Sequence, residues 1–350
     1  MGGVSHVCRP TLRSMKIGIV TPAPPNSQYG NRITALRWAR IFRRLGHRVS
    51  ISQSYDGEPY DLLVALHARR SHASIINFRR QNSEAPIIVA LTGTDLYRDI
   101  RTNHLVQKSL DIATRIVVLQ PKAIKELSPH LRDKTRAIYQ SAEHMGKQAG
   151  ISVRAGKTRS IKPELRKQSS GSFDVCVIGH LRAVKDSFRT ALAARILPDS
   201  SRIRVLQVGK AMNEAMAARA RKEMRENKRY QWLGEQPQSA VRRILAKSRL
   251  CILSSRIEGG ANVLSEAIAA SVPILSSRID GNLGILGEGY PGYFAVGDTK
   301  HVARLLTRAE TSTEYLAELR NWGEKLVSLF DPRREEQAWL ELISESFLIK

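Results

Sequence analysis

Two glutamates, Glu258 and Glu266, stand eight positions apart where a short apolar run meets a glycine turn and a helix begins. The run at 250–254 predicts a strand, and Gly259 and Gly260 allow a ligand to approach the backbone closely. Amides at a helix start suit a diphosphate or sugar hydroxyls, and a carboxylate two turns further in can accept hydrogen bonds from a ribose. This segment predicts a nucleotide-sugar site; the alternative is an ordinary turn and helix with two solvated carboxylates.

Two basic side chains, Arg182 and Lys185, follow the apolar run that ends at Ile178. In that position they can pair with a diphosphate and stabilise its charge as it leaves. Surface solvation is the alternative for both residues. The sequence has no Asp-x-Asp motif and no clustered His/Cys set, so metal-dependent chemistry is disfavoured and no metal site is predicted.

Polar residues also follow the apolar runs at 62–66 and 87–91. We expect an imidazole and several guanidinium groups on the rim opposite the glutamates, because both runs end at the same edge of a parallel sheet. The alternatives are a capping histidine, solvated arginines and a turn stabilised by an aspartate. The residues in question are His67, Arg69, Arg70, Thr94, Asp95 and Arg98.

Short apolar runs alternate with amphipathic helical patterns through most of the chain, which predicts parallel sheets covered on both faces. The fold class is therefore α/β, with two Rossmann-like domains facing a central cleft. The predicted parts are a tail at 1–14, an N-terminal Rossmann-like acceptor domain at 15–143, a basic linker or loop at 144–170, a C-terminal Rossmann-like nucleotide-sugar domain at 171–330 and a terminal helix at 331–350 that packs on the first domain.

The chain carries 56 Lys and Arg against 32 Asp and Glu, a formal charge of +24, so anions are the expected partners. The basic residues are scattered without an aromatic stacking surface, and nucleic acid is not expected. Cys176 and Cys251 fall within apolar strand patterns and Cys8 within the tail, which is typical of free buried thiols. With no run of 18 apolar residues, we expect a cytoplasmic protein without stable membrane insertion.

These motifs resemble the retaining glycosyltransferases of GT-B fold, family 4, and the resemblance spans residues 15–347. It implies that Lys185 holds the diphosphate, that Glu266 holds the ribose and that His67 sits beside the donor sugar. Glu258 and the amides of Gly259, Gly260, Ala261, Asn262 and Val263 would hold sugar hydroxyls. The chain departs from the family at His180, where Arg is usual, and Arg182 is expected to supply that charge.

Within that family, several segments are similar to the selenosugar synthases of selenoneine biosynthesis, which join a UDP-sugar to selenophosphate. The segments lie at 30–40, 65–71, 91–100, 179–182, 258–263 and 277–282. The resemblance implies UDP-N-acetylglucosamine or UDP-glucose as donor, selenophosphate as acceptor and no cofactor.

We assign the site residues by role, some from the resemblance and others, namely Gly30, Asn31 and the acceptor residues, from their positions in the sequence. Catalytic roles fall to His67, Arg182, Lys185 and Glu258; donor binding to Gly30, Asn31, His180, Gly259, Gly260, Ala261, Asn262, Val263 and Glu266; and acceptor binding to Arg69, Arg70, Thr94, Asp95 and Arg98. Two other functions stay open at this point. One is an ordinary family 4 hexosyltransferase acting on a sugar or lipid hydroxyl, and the other is a non-catalytic protein that binds nucleotide sugars or RNA.

Overall fold

Two six-stranded, all-parallel sheets form the framework of the computed structural model, which describes residues 13–143 and 171–348. Predictions for residues 1–12, including Cys8, and for the basic segment 144–170 lie outside these ranges. The first sheet has the order β2-β1-β3-β4-β5-β6. Its strands are β1 (Lys16–Val20), β2 (Arg48–Ser52), β3 (Leu62–Leu66), β4 (Ile87–Ala90), β5 (Arg115–Val118) and β6 (Thr135–Ala137).

The second sheet has the order β12-β11-β10-β7-β8-β9. Its strands are β7 (Phe173–Ile178), β8 (Ile203–Val208), β9 (Tyr230–Trp232), β10 (Leu250–Leu253), β11 (Ile274–Ser277) and β12 (Tyr293–Phe294). Cys176 of β7 lies in register with Cys251 of β10, and both thiols are free and buried, as predicted. The described chain therefore has two Rossmann-like α/β halves.

Helices cover both faces of each sheet. In the first half they are α1 (Gly30–Arg44), α2 (His72–Gln81), α3 (His104–Ile112) and α4 (Pro129–Arg132), with a π-helical turn at Asp95–Asp99 and a 3₁₀ turn at Pro121–Glu126. In the second half they are α5 (Arg189–Arg195), α6 (Glu214–Glu226), α7 (Gln238–Lys247), α8 (Asn262–Ala269), α9 (Asp280–Leu286), α10 (Thr299–Thr311) and α11 (Thr313–Leu326), with 3₁₀ turns at Ala183–Lys185 and Val327–Phe330. The last helix is α12 (Pro332–Leu348).

The strands form because their residues are apolar on both faces. Every residue of β3 and β4 is buried, as the central strands of a parallel sheet with two covered faces require. The edge strand β2 is only partly buried and accordingly carries Arg48 and two serines. Side-chain caps begin several helices; Asn213, for example, accepts a hydrogen bond from the amide of Met216 at the start of α6.

The last helix, α12, packs on the first half of the chain. Trp339 is fully buried against Trp38 and Phe42 of α1, with ring centroids 4.7 Å and 4.9 Å apart. Glu335 is also buried, and it accepts hydrogen bonds from Trp38 Nε1 at 2.9 Å and from the amide of Ser141 at 2.9 Å. The chain thus crosses between the halves twice, near Ser141 and again just before α12.

Candidate functional site

A cleft of about 360 Å³ lies between the carboxyl ends of the two sheets. This is where a doubly wound fold places its ligands, since the loops after each strand converge there. Most of the predicted site residues line it: Gly30, Asn31, His67, Arg70, Thr94, His180, Arg182, Lys185, Glu258, Gly260, Ala261, Asn262, Val263 and Glu266. Four predicted residues do not, namely Arg69, Asp95, Arg98 and Gly259.

Lys185 and Glu258 form an ion pair on the second-domain side of the cleft, between Lys185 Nζ and Glu258 Oε1. Ser255 Oγ donates to the same carboxylate oxygen at 2.5 Å. Two hydrogen bonds hold the loop of Lys185 against the loop of Glu258. Ser254 Oγ donates to the carbonyl oxygen of Lys185 at 3.1 Å, and the amide of Arg256 donates to the carbonyl oxygen of Val184 at 2.8 Å. An ammonium fixed in this way can hold a diphosphate and stabilise the charge that develops when it leaves.

The start of α8 presents backbone amides to the cleft, and Glu266 lies about one turn further along the helix. The first amides of a helix have no partner within it, so those of Asn262 and Val263 are available to an anion or a hydroxyl. Burial raises the pKa of Glu266, while the guanidinium groups of Arg37 and Arg242 oppose that effect. A partly desolvated carboxylate of this kind is suited to accept hydrogen bonds from ribose hydroxyls.

His180 bridges the two halves of the protein instead of presenting a charge to the cleft. Its Nδ1 accepts a hydrogen bond from the amide of Lys210 at 3.1 Å, so Nε2 carries the proton and donates to the carbonyl of Gln28 at 3.1 Å. Burial lowers the pKa of His180, against the opposing hydrogen bond to Gln28, and the ring is neutral at pH 7. Tyr29 packs edge-on against the ring at 5.2 Å. The cations on this loop are therefore Arg182 and Lys185.

Glycines allow the loops of the two halves to touch at the floor of the cleft. A Cβ on Gly259 would lie 2.6 Å from the carbonyl carbon of Thr92, and one on Gly260 would lie 2.5 Å from Leu119 Cβ. Gly93, with φ of +147°, faces Gly259 from the other side. The donor-binding prediction for Gly259 is corrected accordingly, because this residue packs against the opposite domain and does not line the cleft.

His67 lies on the first-domain rim with φ of +71°, a backbone conformation that a residue with a side chain rarely adopts. Its Nε2 lies 3.2 Å from Thr94 Oγ1, and the amide of Arg70 approaches Nδ1 at 3.5 Å. Burial lowers the pKa of His67, opposed by the carboxylate of Asp95. The imidazole is therefore neutral at pH 7, with Nε2 in hydrogen-bond distance of Thr94 and Nδ1 3.7 Å from the carboxylate of Asp95.

Asp95 positions the rim and does not bind a ligand. The residue is fully buried, and Oδ1 accepts hydrogen bonds from the amides of Thr92 at 3.0 Å and Gly93 at 2.9 Å. Its Oδ2 accepts from the amide of Ala68 at 3.0 Å. The prediction that Asp95 contacts an acceptor is wrong, because its oxygens are committed to three backbone amides that shape the loops around His67.

Arg69 and Arg98 do not line the cleft. Both pair with Asp99, at 3.1 Å and 3.0 Å. Their acceptor role stays a prediction, which this pairing does not favour. Arg70 and Thr94 are the predicted acceptor residues that the structure brings to the cleft.

Several cleft residues were not predicted from the sequence. Glu235, Gln236 and Gln238 follow β9, and the strand-end rule that located the other loops applies to them equally. Gln140 is different: it is buried, its Nε2 donates to Thr34 Oγ1 at 2.6 Å, and its Oε1 has no partner within the described ranges. No sequence signal marks Gln140, because it follows a short edge strand in a stretch without a recognisable motif.

Within 13–143 and 171–348, His, Cys, Asp and Glu side chains nowhere gather in threes around a possible metal position. Over the same ranges, the helices are too short or too polar to cross a bilayer.

Comparison with protein families relates the second half of the chain to enzymes that move sugars. Residues 160–326 match the family model described as glycosyl transferases group 1. No curated protein sequence matches the chain.

Solved structures share the fold along nearly the whole chain. Anabaena HepE in complex with UDP and glucose has a TM-score of 0.72 at 14% identity, over 94% of this chain and 99% of that one. Sucrose-phosphate synthase from Thermosynechococcus elongatus has a TM-score of 0.72 at 14% identity, over 97% and 100%. A glycosyltransferase from Rickettsia africae has a TM-score of 0.73 at 12% identity, over 97% and 100%. The fold is therefore GT-B, and together with the family match it indicates a glycosyltransferase.

Proposed function

We propose that this glycosyltransferase transfers a hexosyl unit, N-acetylglucosaminyl or glucosyl, from a UDP-sugar to selenophosphate and so makes a selenosugar of the selenoneine pathway. The bond from the anomeric carbon to the diphosphate oxygen breaks, UDP leaves with the electron pair, and a carbon–selenium bond forms. Water then cleaves the selenium–phosphorus bond, which releases inorganic phosphate and leaves the selenosugar with a free selenol. The proposed reaction uses no cofactor and no metal. We also propose that the protein is cytoplasmic.

The observation that carries the proposal is the division of the cleft into two cationic sides. Lys185 and Arg182 lie on the second-domain side with Glu266 and the amides of α8, and Arg70 lies on the opposite rim. A donor diphosphate and an anionic acceptor repel each other, so an enzyme that joins them needs a cation near each. The bound UDP and glucose of the Anabaena relative support the donor assignment.

Neutral side chains, among them His67 and Thr94, also line the cleft. His67 is neutral and hydrogen-bonded to Thr94, so it offers a polar contact to a sugar without adding charge. A selenium anion is already a strong nucleophile and needs little help from a general base. The task left to the protein is to hold two anions in line and to assist the departure of UDP.

Incubation with UDP-N-acetylglucosamine or UDP-glucose and selenophosphate in excess EDTA tests this proposal. We expect UDP release and a product with the selenium isotope pattern in the mass spectrum. UDP release with a sugar or lipid hydroxyl acceptor, but none with selenophosphate, would replace the acceptor assignment. Activity that disappears on chelation and returns with Mg²⁺ would contradict metal independence.

The structure distinguishes the two adjacent arginines, because Arg70 lines the cleft and Arg69 does not. Arg70→Ala should raise the KM for selenophosphate by about tenfold or more, because a charge-assisted contact to a phosphate oxygen contributes roughly 1.5–3 kcal/mol. UDP affinity should change little. Arg69→Ala is the matched control, since Arg69 pairs with Asp99 outside the cleft, and its KM should stay near the wild-type value. Equal effects of the two substitutions would remove Arg70 from the acceptor side.

Glu266 should make UDP binding depend on pH. Glu266→Ala is expected to weaken UDP binding by roughly 1.5–3 kcal/mol, since the ribose hydroxyls lose a charged acceptor. Because burial raises the pKa of Glu266, wild-type affinity should fall as the pH is lowered through that raised pKa, where the carboxylate becomes protonated. Protonation of UDP itself also changes its binding, and calorimetry on Glu266→Gln at each pH measures that contribution. Parallel curves for the two proteins would show that Glu266 does not contact the nucleotide.

A further inference from the structure

A second cavity, the hinge pocket, lies behind the nucleotide side of the cleft. Its volume is about 110 Å³, and it sits where the chain crosses between the halves, lined by Ser141 and Ala142 on one crossing and by Pro332 on the other. The amide of Ala142 donates to the carbonyl of Phe330 at 3.1 Å, which holds the two crossings together. The pocket is thus placed where both connections between the halves meet.

Charged side chains dominate the lining of the hinge pocket. Three arginines come from α1 of the first half and one from α7 of the second, and two glutamates share the lining with them. These residues are Arg37, Arg40, Arg44, Arg242, Glu143 and Glu266. The lining carries a formal excess of two positive charges, which Glu336 beside Arg44 reduces to one.

The arginines keep donors that existing contacts do not use. Arg37 donates through Nη2 to Asn262 at 2.7 Å, but its Nη1 is buried without a hydrogen-bond partner within the described ranges. Arg44 pairs through Nε with Glu336 at 2.7 Å, and Arg242 pairs through Nη1 with Glu143 at 2.7 Å. Each guanidinium has five N–H donors, so these contacts leave a fork free in every case.

We propose that the hinge pocket binds a small phosphate-type oxyanion, held by α1 of the first domain and α7 of the second. Arginine forks match phosphate geometry, and a ligand gripped from both sides of the hinge couples the positions of the two domains. The pocket also shares Gln238, Arg242 and Glu266 with the cleft, so its occupant reaches the groups around the predicted ribose site. This inference does not depend on the identity of the acceptor.

Titration of inorganic phosphate into the full chain saturated with UDP tests the proposal, because UDP occupies the cleft. We expect saturable binding by calorimetry that weakens at least tenfold in Arg40→Gln/Arg44→Gln. The control is Arg43→Gln on the same helix, whose guanidinium donates to the carbonyl of Val49 at 2.8 Å and should leave binding unchanged. The single variant Arg40→Gln changes an exposed residue and is expected to weaken phosphate binding severalfold. It gives a second measurement if the double variant is unstable.

Three outcomes would overturn the proposal: no saturable phosphate binding, binding that UDP abolishes, or binding that the double variant retains. Vesicles of phosphatidylcholine with phosphatidylglycerol distinguish a free phosphate from a lipid headgroup. We expect no recruitment to them, and recruitment that requires Arg40 and Arg44 would contradict the assignment to a free anion. If UDP itself fails to bind, the donor assignment falls, and the same variants still report on phosphate in the protein without UDP.

Discussion

Lys185→Ala should lower turnover by roughly 10²–10³, because it removes the fixed cation that faces the leaving diphosphate. The side chain is 22% exposed and Glu258 is 11% exposed, so solvent only partly screens the charge. The substitution also leaves the Glu258 carboxylate without its ion-pair partner beside the donor sugar. Steady-state kinetics with saturating UDP-sugar measures the effect, and Lys185→Arg, which keeps the charge, should recover part of the activity.

A double substitution separates two explanations of that loss. If Lys185 serves only to neutralise Glu258, then Lys185→Ala/Glu258→Gln should be more active than Lys185→Ala alone. If Lys185 acts on the diphosphate, as proposed, the double variant should be no better than the single one. Recovery of wild-type turnover in the double variant would therefore show that Lys185 acts by neutralising Glu258 and not by stabilising the diphosphate.

The sheets could be predicted from the sequence because their strands are short, apolar and regularly spaced. The run at 62–66 is strand β3. The apolar spacing over 33–45 predicts a helix, and the structure has α1 there, beginning three residues earlier at Gly30. That difference arises because no side chain caps the helix at Tyr29, so no sequence signal marks its start. The GT-B arrangement followed from the alternation of elements together with the motif resemblance.

The orientation of neighbouring side chains could not be predicted. Arg69 and Arg70 are adjacent in sequence, yet one pairs with Asp99 and the other lines the cleft. The choice depends on a carboxylate about thirty residues away on a π-helical turn, which the sequence suggested only as an ordinary turn. Asp95 was misplaced for a similar reason, because a polar residue after a strand can face a ligand or satisfy buried amides with equal plausibility.

The contact between the domains could not be predicted from the sequence either. Gly259 and Gly260 were interpreted as points of approach for a ligand, whereas Gly259 allows Thr92 and Gly93 of the opposite domain to approach. A glycine signals only that something comes close, and the partner is set by tertiary structure. That distinction leads to a prediction with a large effect on activity.

Gly259→Ala should reduce turnover on the order of 10²-fold while UDP affinity changes far less. The new Cβ would meet the carbonyl carbon and oxygen of Thr92 at 2.6 and 2.7 Å and the amide nitrogen of Gly93 at 2.8 Å. These are backbone atoms that cannot rotate away, so the two loops must separate. A displacement of about 1 Å between reacting groups can cost a factor of this size, and His67 and Thr94 move with the displaced loop. In the proposed donor site UDP contacts the second domain through Lys185, Glu266 and the amides of α8, and calorimetry should show its binding preserved.

Gly323→Ala is the matched control for that experiment. Gly323 lies within α11, where an added Cβ would have Ile268 Cγ1 at 4.0 Å as its nearest neighbour, so the methyl group fits. Alanine also favours a helix over glycine by roughly 1 kcal/mol, and turnover should therefore be unchanged with stability equal or higher. Wild-type turnover in Gly259→Ala would show that catalysis tolerates separation of the loops. A loss that merely follows the unfolded fraction would show that Gly259 serves stability alone, and either result would exclude contact between the loops as a requirement for sugar transfer.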